Sequence, residues 1–162
     1  MGLGLYVNDK RCAGWSYSGF NAFREKVARQ AGIELNKMEG FHDIDRSILE
    51  KQGWEAYRQA MEADLDKPKI SWDTIDDPIV PLLHHSDCDG TIEAPLCGAL
   101  ADRLEELIRD WPERMKLQVD PFWQERGYSA EMELDDYDTV QAKGLIQGLR
   151  EAAATGHPLE FH

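Results

Sequence analysis

The apolar positions of this chain fall into four stretches with helical period. In the clearest, residues 95–111, Cys97, Leu100, Ala101, Leu104, Leu107, Ile108 and Trp111 recur at i, i+3, i+4 and i+7 while charges take the other side. That is the pattern of a helix laying one stripe on a core, and Pro95 stands at its first position, where a missing N–H is tolerated. Near the C-terminus Ala142, Leu145, Ile146, Leu149, Ala152 and Ala153 form a second stripe. Asp138 and Gln141 have capping-box spacing before it, and Gly156 with Pro158 marks its end. Phe20, Phe23, Val27 and Ala31 give a third, with Ser18 as N-cap and Gly32 as stop. The fourth, 44–65, carries Trp54, Tyr57, Met61 and Leu65 on one face; Gly53 divides it and Lys67-Pro68 ends it.

Between these stretches the pattern is extended. Residues 3–7 read as a strand that turns back through Asn8-Asp9-Lys10-Arg11 into a hairpin, and Glu131–Asp135 alternates with strand period, as an edge strand does. Leu159-Glu160-Phe161 is expected to return beside residues 3–7, since chain ends commonly lie close together. Residues 69–83 read as irregular, with a short helix opening at Asp77-Pro78 as the competing reading. Asp120-Pro121 opens a helical turn that Gly127 closes. The expectation is an α+β fold, one domain over 1–162, with four main helices on a small, mostly antiparallel sheet built from the terminal strands and residues 129–134.

Composition narrows the function classes. The chain has 162 residues, 42% of them hydrophobic, and a formal charge of −13. Such a field steers a protein away from nucleic-acid phosphates and anionic membranes and toward metal ions or basic protein surfaces. Cys12, Cys88 and Cys97 are odd in number and lack CxxC spacing, so neither a disulfide framework nor a zinc knuckle is indicated. With no signal-peptide core and no stretch of membrane-spanning length, a cytoplasmic protein is expected.

Candidate chemistry concentrates in His84-His85-Ser86-Asp87-Cys88-Asp89-Gly90. Asp87 to Ile92 is similar to the centre of an EF-hand loop, but Leu96 falls where the bidentate glutamate belongs. Imidazole, thiolate and carboxylate together suit a transition metal, with His42, Asp43, His85, Asp87 and Asp89 as its ligands. The dipeptide His42-Asp43 resembles the one that names a family of metal-dependent phosphohydrolases, although no histidine precedes it here. Flanking aspartates disfavour a Cys88 thiolate. The alternative for the whole run is a turn in which Ser86, Asp87 and Asp89 satisfy backbone groups while one histidine packs inside.

Trp15-Ser16-Tyr17-Ser18-Gly19-Phe20 sets aromatics and hydroxyls before a helix start. Trp15, Tyr17 and Ser18 there can bind an anion or nucleotide, or form an N-cap with a hydrophobic staple. Glu131, Glu133, Asp135, Asp136 and Asp138 make the densest acidic segment, the first four either a partner-binding surface or part of a solvated edge.

The combination of Trp15-Ser16-Tyr17-Ser18-Gly19-Phe20, Pro78-Ile79-Val80-Pro81-Leu82-Leu83 and His85-Ser86-Asp87-Cys88-Asp89-Gly90 resembles a group of small uncharacterised bacterial and phage-associated proteins. The resemblance implies a cytoplasmic accessory protein and brings no activity with it. The expected function is non-catalytic binding of a basic protein surface or a small ligand, through the aromatic segment and the His84–Gly90 loop. An inhibitor of host defence of the phage type is one instance. The alternative is a phosphoester hydrolase that uses a divalent metal at the His/Asp cluster.

Overall fold

A computed structural model describes residues 2–45, 47–85, 88–109, 111, 114–118, 121–127, 129 and 131–162, with the backbone alone over 114–118, 123 and 131–135. Strands β1 (Leu3–Val7) and β2 (Lys10–Trp15) form the N-terminal hairpin. Its two turn residues, Asn8 and Asp9, have φ of 49° and 63°. These are the left-handed angles that a tight hairpin needs, and they fall on residue types that tolerate them.

Strand β6 (Leu159–Phe161) pairs antiparallel with β1, so the expected meeting of the chain ends holds. On its far side β6 pairs with β3 (Gly90–Ile92), giving a four-stranded sheet in the order β2-β1-β6-β3. The expected place of residues 129–134 is corrected. They contribute to β5 (Glu131–Asp135), which leaves this sheet and pairs with β4 (Arg114–Gln118) in a separate ribbon. A partner close in sequence costs little loop-closure entropy, which favours the local ribbon over a long-range edge.

Seven helices complete the described residues: α1 (Tyr17–Gln30), α2 (Ser47–Gln52), α3 (Trp54–Leu65), α4 (Val80–His84), α5 (Ala94–Arg109), α6 (Pro121–Gln124) and α7 (Tyr137–Thr155). Four of them, α1, α3, α5 and α7, are long. Residues 69–79 are irregular apart from the 3-10 turn Trp72–Thr74, and a short helix follows from Val80, preceded by a turn in which Asp77 accepts from the Ile79 N–H at 2.9 Å.

The core lies between the sheet and the pair α5 and α7, with α1 closing one side. Leu100 and Leu104 of α5, Leu145 and Leu149 of α7, Phe20 and Phe23 of α1, and Leu3, Leu5 and Phe161 of the sheet are all fully buried. Glycine sets the spacing of α7 on the hairpin: a Cβ at Gly148 would stand 2.5 Å from the Cys12 sulfur. The fourth predicted stripe behaves differently. Trp54 and Leu65 of α3 are 64% and 69% exposed, and Asp64 is the buried residue of that helix.

Two predicted caps shift. Ser16 rather than Ser18 caps α1, its hydroxyl accepting from the Gly19 N–H at 3.0 Å. Asp136 rather than Asp138 caps α7, accepting from the Thr139 N–H at 2.8 Å. Asp138 instead takes the Trp15 Nε1–H at 3.0 Å and the Lys26 ammonium at 2.7 Å, and Gln141 Oε1 accepts from the Gly14 N–H. Long-range donors thus take both members of the predicted capping box. Among the described residues no helix is long and apolar enough to cross a membrane.

A candidate ligand cleft beside helix α1

Helix α1 has two faces. Phe20, Phe23 and Val27 point into the core, while Tyr17, Asn21, Glu25 and Arg29, four residues apart, line an open cleft with Ser18. The opposite wall comes from Ile33–Asn36, from His42-Asp43-Ile44 and from Tyr57 of α3, and the cleft holds about 910 Å³. That volume is within the range of small-molecule and peptide sites.

The lining mixes polar and apolar groups, and its ionisable side chains are mostly acidic. Three carboxylates, Glu25, Glu34 and Asp43, face one guanidinium, Arg29. Asn21 donates to Glu25 at 2.8 Å and Asn36 to Asp43 at 2.6 Å, contacts that orient the two carboxylates. Lys37 pairs with Glu34 at 2.8 Å, but both side chains are exposed and such a pair is screened by solvent.

Asp64 organises the rear of the cleft. Its buried carboxylate receives the Lys69 ammonium at 2.8 Å, the Lys67 ammonium at 3.1 Å, the Asp43 backbone N–H at 3.1 Å and the His42 ring through Nδ1 at 3.2 Å. The Lys69 contact is the main influence holding the Asp64 carboxyl far below its usual pKa. Burial opposes it, and Lys67, the Asp43 N–H and His42 add to the lowering. One side chain of α3 therefore fixes both His42 and Asp43. Sequence reading missed Asp64, which resembles any other acid on an amphipathic helix; Lys67 and Lys69 nearby are its faint signal.

The predicted binding residues separate. Tyr17 and Ser18 line the cleft, whereas Trp15 is 3% exposed, stacked on Phe23 with ring centroids 4.5 Å apart. Its place as a ligand anchor is corrected: it is a core residue. Asp136 caps α7, with Lys26 3.9 Å away. Glu131, Glu133 and Asp135 lie on β5, and their side chains fall outside the described residues.

The His84–Gly90 run is also redistributed. His85 stacks on Phe161 with centroids 3.7 Å apart, and its carbonyl accepts from Arg24 Nη1 at 2.6 Å. His84 stacks on Trp72. Gly90 has φ of +123°, and a Cβ there would meet the His85 ring at 3.1 Å. His85 is thus the half-buried histidine of the run, packed on the last strand. Asp89 is exposed, and Ser86 and Asp87 lie outside the described residues.

The proposed metal set is thereby divided, because His42 and Asp43 attach to Asp64 while His85 attaches to Phe161. Among the described residues no group of three or more His, Cys, Asp or Glu is arranged to hold a metal ion. The half-buried Cys12 and the buried Cys97 are poor nucleophiles, since burial pushes Cys12 up to about 11 and raises Cys97. His42 with Asp64 forms a base and its orienting carboxylate, the arrangement that activates a hydroxyl or thiol within hydrogen-bond reach. Among the described residues His42 hydrogen-bonds through its ring to Asp64 alone. No protein-family model matches the chain, and no curated protein or solved structure does.

Proposed function

We propose that the chain is a non-catalytic binding protein that receives a basic protein segment in the cleft between α1, His42-Asp43-Ile44 and Tyr57. The observation that carries this reading is the cleft, with three carboxylates against one guanidinium and two tyrosines for packing, on a chain of net charge −13. Lysine and arginine side chains are attracted by that field, and their flat or aliphatic parts gain contact with Tyr17 and Tyr57. A phage-type inhibitor that occupies the basic surface of a host defence protein is one instance of such a binder.

The test is a titration followed by amide chemical shifts, with a capped arginine-lysine peptide and its glutamate counterpart as probes. The basic peptide should shift Tyr17, Asn36, His42 and Tyr57 together, and added salt should weaken it. Glu34→Gln with Asp43→Asn should reduce its affinity about tenfold, which corresponds to about 1.4 kcal/mol. Equal affinity for the acidic peptide, or shifts confined to other elements, would remove this reading.

A further inference from the structure

Helix α3 carries a second surface that continues the cleft. Trp54, Tyr57, Met61 and Leu65 are spaced for one helical face, an arrangement that ordinarily packs on a core. Trp54 and Leu65 are nevertheless mostly exposed, and Asp64 is the buried residue of the helix. The Trp54 and Tyr57 rings stand 5.8 Å apart, and Tyr57 also lines the cleft. The stripe and the cleft therefore meet at one residue.

The flanks of the stripe are acidic. Glu55 and Glu62 both bind Arg58, so these three residues leave one net negative charge, while Asp66 and Lys67 at the helix end balance each other. We propose that the α3 stripe is a docking surface for a partner segment that combines an apolar face with lysine or arginine flanks. The inference rests on the cleft reading for the continuity through Tyr57, and on the local and total charge for the sign of the partner. A second copy of this chain would bring another −13 to the contact and an anionic membrane would repel it, whereas a basic amphipathic segment is drawn in before its apolar side chains engage. Trp54 is the expected anchor, since large aromatics dominate such contacts.

The experiment uses the full chain and three synthetic peptides of about five helical turns: an amphipathic Leu/Lys peptide, a scrambled one of the same composition, and a Leu/Glu version of the first. Binding is measured at about 0.15 M salt, where the Debye length is about 8 Å. Trp54→Ser with Leu65→Ser leaves the charge unchanged at exposed sites, so general attraction is preserved, and an unchanged far-UV spectrum and melting curve confirm the fold. Leu65→Ser alone serves if the double variant fails to fold. Wild type should bind the Leu/Lys peptide at least tenfold more tightly than the stripe variant does, and tenfold more tightly than it binds the scrambled peptide.

Equal binding by wild type and stripe variant overturns the proposal. So does equal or tighter binding of the Leu/Glu peptide, or a wild-type dimer in sedimentation that the stripe variant converts to monomer. Glu34→Gln with Asp43→Asn separates the two readings. Loss in this cleft variant alone leaves the cleft reading standing and removes the stripe. Loss in the stripe variant alone supports the stripe and removes its continuation into the cleft, which is then judged by the arginine-lysine peptide.

Discussion

The indole N–H of Trp15 donates to the carboxylate of Asp138 at 3.0 Å, joining the last residue of the N-terminal hairpin to the first turn of the C-terminal helix. The same carboxylate holds Lys26 of α1 at 2.7 Å, and both ionic side chains are well shielded. Three elements distant in sequence therefore converge on one aspartate. The neighbouring hydrogen bonds from Tyr137 Oη to the Gly14 carbonyl at 2.6 Å and from the Gly14 N–H to Gln141 occupy the backbone of β2 near its end. This shields a sheet edge with helix side chains, one of the ways an exposed edge is protected from pairing.

Asp138→Ala removes one partner, which leaves the Trp15 N–H unsatisfied and Lys26 with the more distant Asp136 at 3.9 Å. Groups left unsatisfied in this way cost about 1–3 kcal/mol. Urea unfolding should show a loss in that range with an unchanged m-value. Wild-type stability in the variant would show that water replaces the carboxylate freely.

The stripe of α5 gives the second expectation. Leu104 is fully buried within the core. Leu104→Ala should destabilise by about 2–5 kcal/mol, the upper part of the range applying if the cavity stays open. A change below about 0.5 kcal/mol in chemical denaturation is the size of an ordinary surface substitution and would contradict this placement.

These two residues also mark how far the chain could be read in advance. Leu104 belongs to a stripe that repeats over four turns, and repetition of that length points to a buried face without knowledge of the partner. Trp15 belongs to a six-residue motif too short for a period to decide which way the indole faces, so a core residue and a ligand anchor read alike. The α3 stripe fails for the opposite reason: its period is helical, but burial needs an opposing surface and the fold provides none for Trp54 or Leu65. Strand β3 has three residues beginning at a glycine, too few to show alternation. Tyr17, Ser18, His42 and Asp43 are each legible as candidates, yet the placement of His42 and Asp43 depends on contacts with Asp64, 22 and 21 residues away in sequence.

Asp64 yields a pH dependence with a definite sign. Its folded pKa lies below the unfolded value of about 3.9, chiefly because of Lys69. Below that value the unfolded chain binds more protons at this site than the folded one, so stability falls as the pH drops from about 4 through the folded pKa. The contribution is fully present above about pH 5. Melting temperatures between about pH 2 and pH 6 should fall more steeply for wild type than for Asp64→Asn, which has no proton to take up at that position. Parallel curves would mean that Asp64 is not held in its charged form by Lys69 and Lys67.

The three thiols should differ in reactivity in the folded protein, because the thiolate is the reacting species and burial suppresses it. Cys97 is fully buried on the α5 stripe and its pKa is raised by burial. Cys12 is half-buried against Gly144 and Gly148, donates toward the Leu5 carbonyl at 3.3 Å, and is pushed up to about 11. Cys88 is exposed beside Asp89. With a chromogenic disulfide reagent at neutral pH, one thiol per chain should react first and the other two on the timescale of unfolding, all three becoming equivalent in denaturant. Cys88→Ser should abolish the fast phase, whereas Cys12→Ser should leave it intact. A fast phase that survives Cys88→Ser would mean that the hairpin opens from α7 in the native state, and would contradict the close seating of Cys12 on the two glycines.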